Sequence, residues 1–215
     1  MAARAAPQGA PGAVLSPALT VLALVNEATK FIVSFAAFCV LVHYRNPAAA
    51  VALFGSIVTS LAGKLLKRLL AHARPAGARK ADPGMPSSHA VSLGYLATYS
   101  ASALFLGSGS AYLLWPAALQ ALGLALTALR VVLGYHTVPQ VVVGYALGCS
   151  SAVFIHFSAV GWLLPALNAS PNTLAALYWC TGAAIAVFAV MSARSWAEDA
   201  SHLVALGQRR VSLHT

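Results

Sequence analysis

Long apolar runs dominate this chain and leave few folds open to it. Pro47–Leu70, Ser88–Leu106, Ala111–Leu133, Val138–Leu164 and Thr173–Ala193 are each about the length a helix needs to cross a bilayer. A further run, Phe31–His43, reaches that length when extended back through Thr20–Lys30, which brings in Glu27 and Lys30, an i, i+3 pair. Turn-like breaks separate the runs: "HYRNP", a basic loop, "GSGS", "GYHTVP" and "NASPN". With 60% hydrophobic and 8% charged residues, a soluble domain is excluded, since too little charge is left for a wetted surface. The expectation is an all-α polytopic membrane protein, a bundle of about six transmembrane helices. Residues 31–195 form the membrane domain, 196–215 a basic tail, and 1–30 an N-terminal segment read as partly membrane-embedded or as a targeting sequence.

Against that background the cations are unevenly placed. Of thirteen Lys and Arg, six fall between Lys64 and His89, together with two of the seven His. A formal charge of +9 suits anionic headgroups or phosphate ligands. It does not suit nucleic acid, because the cations flank apolar runs instead of forming a soluble patch. Alternation of the helices puts the basic loop, the His136 turn and the C-terminal tail on one membrane face, which the positive-inside rule assigns to the cytosol or stroma. Cys39, Cys149 and Cys180 have no paired spacing and read as packed thiols.

Three groups of polar residues share that face: Lys67 and Arg74 in K-x6-R-P, Pro86-Ser87-Ser88-His89 at the start of the third long run, and Arg130 and His136 in R-x5-H. Ser87 and Ser88 suit a helix N-cap, and the N–H groups behind them suit an anion. Three cations, two imidazoles and a helix N-terminus fit a phosphate group: the cations neutralise its oxygens, one imidazole attacks and the other protonates the leaving oxygen.

These three motifs resemble those of the type 2 phosphatidic acid phosphatase and vanadium haloperoxidase superfamily, over about residues 30–195. The stretches "DPGMPSSHA", "LKRLL" with its following Arg-Pro, and "HTVPQVVVG" look most similar to plastidial lipid phosphate phosphatases of the epsilon type, and less fully to dolichyl diphosphatases. The resemblance implies phosphatidate hydrolysis, with His136 as nucleophile forming a phosphohistidine and His89 as general acid. Lys67, Arg74 and Arg130 would hold the phosphate oxygens with help from Ser87 and Ser88. It implies no metal and no other cofactor. Its partners would be membrane lipids, including the phosphorylated lipid substrate. The plastid inner envelope is the implied location, with the endoplasmic reticulum as alternative. Polyprenyl or dolichyl diphosphate is the second substrate class, and a non-catalytic binder of anionic lipid is the rival of another class.

Two positions depart from the superfamily pattern: Leu129 replaces the usual Ser before Arg130, and Gln140 the usual Asp after His136. Gln140 is expected to orient His136 through its carbonyl oxygen, with Gln140→Asp keeping or raising turnover. The competing reading is a T-x-x-Q capping box with Thr137. Of the remaining residues, Lys64 and Arg68 read as snorkelling side chains, Arg79 and Lys80 as headgroup contacts, and Asp82 as a turn residue paired with a nearby Arg. His72 reads as interfacial. His156, about 30 Å along the helix from His136, belongs at the opposite interface.

Overall fold

The computed structural model describes residues 17–44, 46–75, 82–108 and 113–212. The expectations for residues 1–16, Arg45, Arg79 and Lys80 lie outside these, as does the second half of the "GSGS" turn. The order is α1 (Pro17–Tyr44), α2 (Pro47–Leu70), α3 (Ser88–Ser108), α4 (Leu114–Val132), α5 (Val138–Ser158), a π turn (Ala159–Leu163), α6 (Leu164–Asn168) and α7 (Pro171–Ser212). Among the described residues five helical stretches are long and apolar enough to cross a membrane: Pro47–Leu70, Ser88–Gly107, Leu114–Val132, Val138–Asn168 and Pro171–Arg194. The first expected span in chain order corresponds to α1, whose 28 residues measure about 42 Å. The protein is an all-α polytopic membrane protein.

Local chemistry sets the helix ends. The Asn46 side chain accepts from the Ala49 N–H at 2.7 Å and Pro47 occupies the first turn, so α2 starts where its orphan donors are met. It stops at Ala71, whose left-handed backbone (φ 45°) lets its N–H bond the Lys67 carbonyl. At the turn between α4 and α5 Gly134, at φ 71°, closes α4, and the Tyr135 and His136 N–H groups both fold back onto the Arg130 carbonyl. The fifth run does not end at Leu164. Pro165 has no N–H and its ring crowds the carbonyl of Gly161, and the helix absorbs this by widening into a π turn before continuing to Asn168. The last helix also runs on, through the segment read as a tail, to Ser212.

α3 is the central helix, packed on α5 and also against α4 and α2. Small residues permit the α3–α5 approach: a Cβ on Gly144 would meet the Ser87 carbonyl oxygen at 2.7 Å, and one on Gly148 would overlap the Val91 carbonyl. Polar side chains tie the spans together: Ser60 to Ser92 at 3.1 Å, and Tyr145 to Gln120 to Thr98 at 2.8 and 2.9 Å. Large apolar side chains such as Leu65, Phe154 and Trp179 point outward, as lipid contact requires. Only Cys149 is packed, receiving the Thr98 hydroxyl; Cys39 and Cys180 lie exposed on outward helix faces, unlike the expectation. His156 is buried against Tyr99 and Phe157, edge-on to both.

Candidate active site

α2 ends in Lys67, which is 8% exposed although it carries a charge. After the Ala71 turn the chain crosses the end of the bundle with His72, Ala73 and Arg74. Asp82 lies between the two cations: Lys67 Nζ donates to Oδ2, and Arg74 Nη2 donates to Oδ1 at 2.9 Å. Arg74 Nε also donates to the Asp82 carbonyl at 2.9 Å. Burial alone would push the Asp82 carboxyl up, but the Lys67 and Arg74 contacts outweigh it and hold it below its ordinary value.

The remaining donor nitrogen of Arg74 reaches the third motif. Its Nη1 donates to the Tyr135 carbonyl at 3.0 Å and faces His136 Nε2 at 3.1 Å. A guanidinium can only donate, so Nε2 must accept and the ring proton sits on Nδ1. That proton is directed at Gln140 Oε1, 3.1 Å away. The site therefore holds His136 in one tautomer from both sides, with the lone pair on Nε2. Burial lowers the His136 pKa to about 4, aided chiefly by Arg74 and then by Arg130 and Lys67, while the Gln140 bond opposes the shift. The imidazole is neutral at pH 7.

Gln140 is fully buried and uses both ends of its amide. Oε1 also accepts from the Thr137 N–H at 3.1 Å. Nε2 donates to the Ala73 carbonyl at 2.7 Å and lies 3.1 Å from His72 Nδ1. Orienting His136 and capping α5 are thus not alternatives, because one oxygen does both. The amide also supplies what a carboxylate lacks, an N–H for the Ala73 carbonyl, where an Asp would set acceptor against acceptor. Gly84 completes the fit, since a Cβ there would overlap the Gln140 amide. Its own N–H bonds the His72 carbonyl at 2.6 Å.

Ser87 is fully buried and acts as the cap of α3, its Oγ accepting from the Ala90 N–H at 3.5 Å. Its own N–H donates to the Gln140 carbonyl at 3.0 Å. The Ser87 Oγ therefore caps α3, and the Ala90 and Val91 N–H groups are taken by the Ser87 hydroxyl and carbonyl. His89 is half-buried in that turn. Arg130 lies over the Tyr135 ring at 4.3 Å, and its Nη1 donates to Asn26 Oδ1 of α1 at 3.0 Å. Lys67, Arg74, Ser87, Arg130, His136 and Gln140 thus belong to one connected set at one end of the bundle, built from α2, α3, α4 and α5.

Two curated relatives from Arabidopsis thaliana match over 179 residues, 82% of this chain. Lipid phosphate phosphatase epsilon 2, chloroplastic, is 32% identical, and lipid phosphate phosphatase epsilon 1, chloroplastic, is 30% identical. The chain is similar in sequence to these two lipid phosphate phosphatases. It spans 63% and 64% of the lengths of these two relatives. No protein-family model matches the chain, and no solved structure matches it significantly.

Beside this relationship, four residues of the cluster were not assigned to the site from the sequence: His72, Asp82, Gly84 and Asn26. Asp82 was expected to pair with an Arg, but not to bridge Arg74 and Lys67. The only sequence signal for it was its position, one acid among four in the chain, placed inside the cation-rich loop. Asn26 had no signal, as it lies 104 residues from the arginine it holds.

Proposed function

We propose that this chain is a membrane lipid phosphate phosphatase that hydrolyses phosphatidate to diacylglycerol and inorganic phosphate through a phosphohistidine, without a metal ion. The observation that carries the reading is the state of His136: neutral, its proton held on Nδ1 by Gln140, and its Nε2 lone pair facing the guanidinium that would hold the phosphate. When a phosphate group enters, the Arg74 Nη1–H turns from Nε2 to a phosphate oxygen and frees the lone pair. Nε2 attacks phosphorus as the P–O bond to the glycerol oxygen breaks. Lys67, Arg74, Arg130 and the first N–H groups of α3 take up the charge on the equatorial oxygens. His89, entering as imidazolium, gives its proton to the departing alkoxide. It then takes a proton from the water that attacks the phosphohistidine, which releases phosphate and restores the His136 imidazole and the His89 imidazolium.

The chloroplastic designation of both relatives supports a plastid membrane, with the inner envelope as the proposed compartment. Polyprenyl diphosphate is the second substrate class, on the strength of the "GMPSSH" stretch and Gln140, which resemble dolichyl diphosphatases. The test is purified protein in detergent with EDTA present, offered phosphatidate and polyprenyl diphosphate side by side, with His136→Ala as control. Phosphate release that persists in EDTA and vanishes in the variant is expected. Release unaffected by His136→Ala, or dependent on added Mg²⁺, would refute the mechanism. Absence of release from either substrate would favour a lipid binder.

A further inference from the structure

Lys67 and Arg74, the two cations proposed to hold phosphate, already hold an anion. Each takes one oxygen of the Asp82 carboxylate, Lys67 on Oδ2 and Arg74 on Oδ1. A fork of two acceptor oxygens between two cations is also how one edge of a phosphate group would sit. The partners differ in their freedom to leave. The side chains of Lys67 and Arg74 are 10% and 6% exposed, whereas that of Asp82 is 48% exposed. The cations are fixed by burial, and the carboxylate is one side-chain rotation from water. That rotation need not move the chain, because Arg74 Nε stays bonded to the Asp82 backbone carbonyl.

Charge makes joint occupancy unfavourable. A phosphate between Lys67 and Arg74 with the carboxylate still in place would bring like charges into contact and leave too few donors for the oxygens. We infer that Asp82 is a resident anion in the phosphate position, displaced by the incoming phosphate group and returning as phosphate leaves. It keeps two buried cations paired and correctly spaced while the site is empty. It also weakens the hold on inorganic phosphate, the product, and so favours its release. This inference rests on the phosphatase reading only in taking phosphate as the ligand.

The test reads binding and needs no turnover. Full-length protein in detergent is titrated with inorganic phosphate and followed by ³¹P line broadening or calorimetry, for wild type, Asp82→Asn and Asp82→Ala. Removing the competing charge should tighten phosphate binding by roughly tenfold in Asp82→Asn, the scale of one charge-assisted contact, and by at least as much in Asp82→Ala. If Asp82 were a permanent scaffold for the cations, the order would reverse, with Asn weaker than wild type and Ala weaker still. That order, equal affinities in all three, or no phosphate binding by any of them would each overturn the inference. Should the alanine variant fail to fold, the isosteric Asn variant decides. Failure of the phosphatase reading would show separately, as wild type that binds phosphate but hydrolyses neither lipid.

Discussion

Replacing Gln140 by Leu keeps most of the side-chain volume and removes every polar atom. Four contacts go: His136 Nδ1 and the Thr137 N–H on one end, the Ala73 carbonyl and His72 Nδ1 on the other. Their fates differ with exposure. Ala73 and His72 are exposed and Thr137 is half-buried, so water replaces Gln140 at these. His136 is 3% exposed, and its Nδ1–H is left dry. One stranded buried donor costs about 1–3 kcal/mol, and this term should dominate the stability loss. The effect on turnover is bounded by Arg74. In a serine protease triad, turning the orienting carboxylate into an amide costs about 10⁴-fold because the imidazole adopts the wrong tautomer. Here Arg74 Nη1 faces Nε2 in the free enzyme and disfavours a proton there before phosphate enters, so tautomer control is shared at that stage. The expected fall in kcat/KM is therefore smaller, roughly 10- to 100-fold, or about 1.4–2.7 kcal/mol of barrier. The assay is kcat/KM per folded molecule on phosphatidate, with the folded fraction taken from size exclusion and thermal unfolding. A less stable Leu variant with wild-type kcat/KM per folded molecule would reduce Gln140 to a helix cap. A loss beyond 10³-fold would show that Arg74 exerts no tautomer control. Gln140→Glu keeps the oxygen toward His136 but sets a second oxygen against the Ala73 carbonyl, so it should cost stability even where activity is retained.

Other outcomes follow from the same geometry. The depressed pKa of His136, about 4 against an ordinary 6.5, means that the folded protein resists a proton the unfolded chain accepts. This contribution, up to about 3 kcal/mol, is present above pH 6.5 and is lost as pH falls from there toward 4. Denaturation midpoints across that range should decline, the acid limb of kcat/KM should lie near pH 4, and a limb at 6.5 would refute the burial of the free imidazole. His72→Ala should keep turnover within about fivefold, because its contact with Gln140 is open to water and the Ala73 carbonyl holds the same amide; a larger loss in a kinetic assay would make His72 part of the orienting set. Ala71→Gly should raise thermal stability by up to about 1 kcal/mol, since Ala71 sits at φ 45°, where a Cβ is crowded; an unchanged or lower midpoint would show that this turn carries no strain.

What the sequence made legible, and what it hid, divides along one physical line. A cation in an apolar chain is costly, so Lys67, Arg74 and Arg130 stand out at once, and their spacing against helix ends puts them on one membrane face. The bounds of α2 were readable for a similar reason: Asn46-Pro47 starts a helix chemically, and the apolar run defines its body. Much of what joins the site together was not readable, either because the partner is a backbone atom or because, as for Asp82 and Asn26, the partner side chain is distant in sequence. The Ala73 carbonyl that anchors Gln140, the Arg130 carbonyl that folds His136 back and the Gln140 carbonyl that takes the Ser87 N–H exist in every sequence and mark none. Ser87 makes the point most sharply. An N-cap and an anion ligand call for the same hydroxyl at the same helix end, so composition cannot separate them. Burial weighs for the cap: the Ser87 side chain has no exposed surface and its Oγ accepts from the Ala90 N–H. Substituting Ser87 should therefore act on the folding of α3 and, through it, on the placing of Gln140, before it acts on phosphate.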